Sequence, residues 1–199
     1  MSATAPIVVG ITGASGAPYA VRLLQQLLGA HRPVSLIISK YGMRLLETEM
    51  GIESVDALRD AVGKAGWDSC VETYENDDRG APPASGSSLT AGMIVCPCSM
   101  GTLSAIAVGS SRSLIERAAD VTLKERRKLI LVPRETPLSA IHLGNMLRLT
   151  RAGAVVMPAA PGFYHRPKQI SDLVDFMVAR MLDQLGVEQS LVKRWDSGG

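Results

Sequence analysis

Arg134 and Glu135 stand side by side in Pro133-Arg134-Glu135-Thr136-Pro137, between two prolines that stiffen the backbone. A guanidinium grips an anion through two parallel N–H bonds and a carboxylate moves a proton, so the pair is equipped for reaction at an anionic substrate. On a plain surface loop it would be solvated and worth little. Four other segments carry groups of the same kind. Gly13-Ala14-Ser15-Gly16-Ala17-Pro18 joins glycines that permit close backbone approach to the Ser15 hydroxyl and to a helix start whose N–H groups favour anions. Its plainer reading is a tight strand-to-helix turn. Ser39-Lys40 offers a hydroxyl where a dinucleotide enzyme places an acid for the ribose, which points away from NAD, while a helix cap accounts equally well for Ser39. Pro97-Cys98-Ser99-Met100-Gly101-Thr102 sets two hydroxyls and small residues at another helix start, where Ser99 also suits a capping role. Finally, Tyr164, in the aromatic segment Phe163-Tyr164-His165, could surround a phosphate together with Lys124 and Arg180, although each alone reads as packing or surface.

Such residues cooperate only if one scaffold brings them to one edge. Residues 7–12 form a short, β-branched, uninterrupted apolar run, the pattern of a strand buried on both faces of a parallel sheet. The pattern returns at 34–39, 93–96, 128–132 and 154–157. Helical spacing occupies 17–28, 42–50, 103–108, 114–126, 138–152 and 171–185. Residues 64–90 are polar and rich in Gly, Pro and Ser, and read as loop with one short edge strand. Five strands alternating with helices predict an α/β fold: a single doubly wound, Rossmann-like or flavodoxin-like domain over residues 1–199, with a mostly parallel sheet and 187–199 as a C-terminal tail. In open sheets of this kind ligands collect at the carboxyl ends of the strands, where all five segments sit.

Bulk composition narrows the function classes. The 199 residues are 46% hydrophobic and 20% charged, more buried-type surface than a monomer of this size needs, so subunit contacts are expected. A net charge of +2 is too small and too local for nucleic-acid binding and suits a single anionic group. No apolar run approaches the ~18 residues of a membrane span, and the opening residues carry no basic signal-peptide region, so a cytoplasmic chain is expected. Cys96-Pro97-Cys98 is too tight for an ordinary disulfide, and three His residues away from the cysteines give no zinc pattern, so no metal is expected.

Taken together, Thr12-Gly13-Ala14-Ser15-Gly16-Ala17, Ile38-Ser39-Lys40, Pro97 to Thr102, Ile115 to Glu125, Leu131 to Pro137 and Pro158 to Tyr164 resemble the UbiX family of flavin prenyltransferases over nearly the whole chain. The resemblance implies that Gly13, Ala14, Ser15, Ser39, Ser99, Met100, Gly101, Thr102 and Arg134 hold FMN. It assigns Lys124, Glu135, Tyr164 and Arg180 to dimethylallyl phosphate, with Ser15, Glu135 and Lys124 catalytic, and adds Arg117, Glu49 and Trp195 nearby. The implied reaction joins the dimethylallyl group to N5 and C6 of reduced FMN without a metal, giving prenylated FMN for a UbiD-type decarboxylase. The implied assembly is a homo-oligomer, a dodecamer.

Two other readings differ in class. An FMN-dependent cysteine decarboxylase of the same superfamily resembles a Pro-Ala-Ser-Ala-Asn-Thr pattern, and Gly101 replaces its asparagine here. A non-catalytic flavin carrier needs one phosphate site, and leaves Arg134-Glu135 and the second basic set unexplained.

Overall fold

The computed structural model describes residues 5–192. Within them six strands form one sheet: β1 (Ile7–Ile11), β2 (Val34–Ile38), β3 (Val71–Glu75), β4 (Gly92–Cys98), β5 (Leu129–Pro133) and β6 (Val155–Val156). They lie in the order β3-β2-β1-β4-β5-β6, and every neighbouring pair is parallel. This is the Rossmann order rather than the flavodoxin-like one, with its switch point between β1 and β4. The helices are α1 (Ala17–Gly29), α2 (Lys40–Met50), α3 (Val55–Val62), α4 (Lys64–Cys70), α5 (Met100–Ala107), α6 (Leu114–Lys124), α7 (Ala140–Arg151) and α8 (Ile170–Leu185).

Every residue of β1, β4 and β5 is buried, as an apolar run without polar alternation requires. Successive side chains leave the sheet on opposite faces. Ile7, Val9 and Ile11 therefore meet Leu23, Leu24 and Leu27 of α1 and Met177 and Met181 of α8 on one side. Val8, Met93 and Val95 meet Leu103 of α5 and Leu114, Ile115 and Ala118 of α6 on the other.

The expected edge strand within 64–90 is β3, and it makes a sixth parallel strand. Sequence spacing does not reveal α3 and α4, because they are short and bury only Leu58 and Val62, and Trp67, respectively. Three anchoring side chains over so many residues leave almost no periodic signal. The helix expected at 103–108 begins earlier, at Met100, where Ser99 caps it.

Helix α7 stands apart. Of its twelve residues only Leu149 is buried, while Ile141, Leu143 and Leu147 are each more than half exposed. Exposed apolar residues grouped on one helix are the kind of surface that contacts between molecules use.

Beyond the β1–β4 ladder, which runs from Ile7↔Gly92 to Gly10↔Val95, the two strands are joined through Thr12. Its backbone N–H and its hydroxyl both donate to the Pro97 carbonyl, at 3.2 and 2.9 Å, and its Oγ1 accepts the Ser99 N–H at 2.8 Å. Thr12 is buried, so water cannot replace these bonds. Replacing Thr12 with Val keeps the shape and strands the Ser99 N–H, a loss of about 1–3 kcal/mol. The thermal midpoint at fixed protein concentration should fall by several degrees, and an unchanged midpoint would show that the backbone ladder suffices alone.

Candidate functional site

The carboxyl ends of β1, β2 and β4 converge on a small pocket of about 210 Å³ lined by Thr12, Gly13, Ser39, Tyr41, Asn76, Ser99, Thr102, Ser113, Ile115 and Glu116. Three serines there are N-caps. Ser39 Oγ accepts the Gly42 N–H at 3.0 Å, Ser99 Oγ accepts the Thr102 N–H at 3.2 Å, and Ser113 Oγ accepts the Glu116 N–H at 3.3 Å. The positive ends of α2, α5 and α6 therefore surround one hydroxyl-lined cavity, an arrangement that suits a phosphate. Its volume lies below the ~300 Å³ at which pockets begin to take whole ligands, so it would hold the phosphate end of a larger molecule.

Packing explains part of the Gly13 turn. A Cβ on Gly13 would lie 2.4 Å from the Tyr41 Cβ, and one on Gly42 would lie 2.4 Å from the Ile11 carbonyl oxygen. These glycines let the first turn of α2 press against the end of β1, so the close approach that Gly13 permits is to Tyr41. Gly16, at φ 127°, holds a conformation that favours glycine.

The N-terminus of α1 has its own anion. Glu49, in the last turn of α2, accepts the Gly16 and Ala17 N–H groups on Oε2 at 2.9 and 2.8 Å, and the Ser15 hydroxyl donates to the same carboxyl group. A carboxylate at the negative end of α2 is poorly placed for its own helix and well placed for α1. Burial pulls its pKa upward, but the Gly16 N–H, the Ser15 hydroxyl, the Ala17 N–H and the charge of Arg134 outweigh that and leave it below the ordinary glutamate value. Glu49 thus ties Ser15 and α1 to the neighbourhood of Arg134.

Arg134 and Glu135 follow β5 directly and are exposed, with Glu135 Oε1 accepting the Thr136 N–H at 3.0 Å. Gly101 and Thr102 lie in the first turn of α5, and Ala14 and Met100 are buried, so the Met100 side chain packs in the core and only its backbone faces the pocket end of α5.

The expected allyl-phosphate set does not assemble within one chain. Helix α6 starts at the carboxyl edge, where its Leu114 N–H meets the Asn76 carbonyl oxygen, and runs down the sheet. Lys124 at its far end pairs with Glu125 near Lys128, whose carbonyl oxygen bonds the first residues of β4. It therefore lies one strand length (~15 Å) down from the edge that carries Arg134 and Glu135, on the amino edge of the sheet. Arg180 pairs with Asp183 at 3.2 Å toward the end of α8, which reaches the same edge, since Lys128 Nζ donates to the Gln184 carbonyl. Arg117, in the first turn of α6, pairs with Asp120 at 2.8 Å and donates to the Ala84 carbonyl. Tyr164 is exposed in the loop before α8, and Trp195 lies outside the described residues.

Thr12, Tyr41, Asn76 and Ser113 line the pocket without having been singled out from the sequence. Ser113 had a signal, the Ser-x-x-Glu spacing to Glu116 that marks a helix start. Asn76 had none, because only the fold shows that its side chain accepts the Ile115 N–H at 3.2 Å.

The Flavoprotein family model matches residues 1–182. Flavin prenyltransferase UbiX of Pseudomonas aeruginosa is 50% identical over 202 residues, spanning 98% of this chain and 96% of its own. This chain belongs to the UbiX flavin prenyltransferase family. AnUbiX, solved with FMN and dimethylallyl pyrophosphate, superposes with a TM-score of 0.90 at 41% identity, over 98% of this chain and 100% of its own. A dodecameric FMN-dependent UbiX-like decarboxylase from Escherichia coli follows at 0.88 and 43%, over 96% and 100%.

In this UbiX-family chain the Glu49 interaction sets a pH dependence. A carboxyl whose folded pKa lies below its ordinary value of 4.5 stabilises the fold above that value, and the contribution fades as pH falls through the folded pKa. Wild type should therefore melt higher than Glu49→Gln at neutral pH, and the two melting temperatures should converge in acid. A gap that persists unchanged at about pH 3 would assign the effect to packing.

Proposed function

We propose that this chain is a flavin prenyltransferase that joins the dimethylallyl group of dimethylallyl phosphate to N5 and C6 of reduced FMN. The observation that carries the reading is the hydroxyl-lined, phosphate-sized pocket at three helix N-termini, with Ser15, Glu49 and the Arg134-Glu135 pair on the same sheet edge. The FMN phosphate fits there, held by Ser39, Ser99 and Thr102 with Ser113, and the turn from Gly13 to Ser15 and Arg134 line the path of the flavin. Reduced FMN supplies the two ring atoms that form the new bonds. The cations Lys124 and Arg180, with Tyr164 and the nearby Arg117, take up negative charge as the allylic C–O bond breaks and its electron pair leaves with the phosphate, so no metal is needed. Glu135 protonates the allylic double bond so that C6 can attack it and then takes back the proton that C6 loses, while Ser15, held by Glu49, receives the proton that N5 gives up as the first bond forms.

One chain does not place Lys124 and Arg180 beside Glu135, so the site is completed across subunits. The apolar face of α7 supplies a contact surface, and the Escherichia coli relative is dodecameric, which supports a homo-oligomeric dodecamer. The chain acts as one flavoprotein domain in the cytoplasm, and a UbiD-type decarboxylase consumes the prenylated FMN. Gly101, in place of the cysteine decarboxylase asparagine, sets that alternative aside, and a passive flavin carrier has no use for the Arg134-Glu135 pair.

Anaerobic incubation with reduced FMN and dimethylallyl phosphate should raise the flavin mass by one C5 unit. An unchanged flavin, with CO₂ released from a cysteinyl peptide instead, would overturn the reading. Glu135→Gln should keep FMN bound and slow product formation by roughly 10²- to 10⁴-fold. Mixed oligomers of Lys124→Ala and Glu135→Gln chains should regain activity that neither variant shows alone, because some shared sites then hold both native residues. No regain would place the whole site in one chain.

A further inference from the structure

Tyr164 is 67% exposed, and it belongs to a loop that leaves β6 and reaches α8 without regular structure. A side chain so exposed usually samples several rotamers, which costs binding energy when a ligand must fix one of them. Its ring is nevertheless bracketed. The Tyr164 and Phe176 rings meet edge to face at a centroid distance of 5.6 Å and an angle of 82°, and Tyr164 meets His165 at 5.9 Å and 82°. His165 stacks flat on Phe176, at 5.1 Å and 4°. Two parallel rings therefore stand perpendicular to the third, in the geometry that aromatic quadrupoles favour.

Each support has its own anchor. Phe176 lies on α8 and packs against the core around β1, so its ring is a fixed surface. Among the described residues neither ring nitrogen of His165 has a hydrogen-bond partner, and both are enclosed, so ring stacking is the contact that holds it there. Beneath Tyr164 lies Gly162. A Cβ there would fall 2.9 and 3.1 Å from the Tyr164 ring carbons Cε1 and Cδ1 and 3.2 Å from Phe176 Cζ. The contact to Tyr164 is shorter than real side chains make, so any residue larger than glycine must push the tyrosine ring aside.

We propose that Phe176, Gly162 and His165 are positioning residues that hold the Tyr164 ring in one orientation and so present its hydroxyl to the phosphate of the allylic substrate. The proposal rests on the assignment of Tyr164 to that phosphate. None of the three touches substrate; each acts through the ring it orients.

The test is steady-state prenyl transfer by the full-length, FMN-binding oligomer, with dimethylallyl phosphate titrated against Tyr164→Phe, Gly162→Ala, Phe176→Leu, and each of the last two combined with Tyr164→Phe. Melting temperature and FMN affinity are followed throughout. Tyr164→Phe leaves the ring bracketed and removes only the hydroxyl; loss of a hydrogen bond to a charged group predicts a KM increase of about 10-fold or more. Gly162→Ala and Phe176→Leu should each raise KM by about 5- to 10-fold with kcat and FMN affinity nearly unchanged, and should add almost nothing in the Tyr164→Phe background. Full additivity there would make the two residues merely structural and overturn the proposal. So would an unchanged KM in both single variants while Tyr164→Phe raises it, a result that leaves the substrate assignment standing. An unchanged KM in Tyr164→Phe itself overturns the assignment on which the proposal depends. Phe176→Leu keeps the test open if Gly162→Ala fails to assemble.

Discussion

The buried Thr12 hydroxyl is the joint on which the site depends. Parallel pairing between β1 and β4 ends at Gly10 and Val95, and the β4–β5 register shifts between Val95 and Cys98. Without another tie the two central strands would part at the switch point, where a ligand has to bind. Thr12 prevents this by donating to Pro97 and accepting from Ser99 in a place that water does not reach. Because Ser99 is also the cap of α5, one hydroxyl sets the separation between the Gly13 turn and the α5 N-terminus. The geometry of the hydroxyl-lined pocket follows from that separation.

The same edge divides its helix N-termini between two uses. Those of α2, α5 and α6 face the pocket, and that of α1 is closed by Glu49. If all four competed for one anion, the phosphate would have several positions of similar energy. An internal carboxylate on α1 removes one of them and also gives the Ser15 hydroxyl a fixed acceptor. The Glu49 charge is thereby held at α1, outside the residues that line the pocket.

Much of the scaffold was legible because strands buried on both faces must be apolar throughout, and β1, β4 and β5 have no other reading. The short helices α3 and α4 were not, because helices that bury only one or two side chains leave no periodicity. Serines 39 and 99 were visible as helix starts after strands. Their convergence on one cavity with Ser113 and Asn76 was not, since it depends on the loop after β3 reaching the first turn of α6. Spacing also concealed the separation of Lys124 and Arg180 from Glu135, for sequence order does not say which edge of a sheet a helix end reaches.

The glycines show why residue type alone underdetermines a site. Gly16 is set by a φ of 127°, whereas Gly13 and Gly42 are set by contact between α2 and β1. Gly162 is set by the ring of Tyr164 lying over it. In the sequence Gly13 and Gly16 look like places where a backbone could approach a ligand. In the fold, two let the protein approach itself, one permits a turn, and one clears room for an aromatic ring. The ligand-facing surface is then built from hydroxyls and N–H groups whose positions those glycines permit. An anion entering this pocket would meet groups that the protein has already oriented, which lowers the ordering cost of binding.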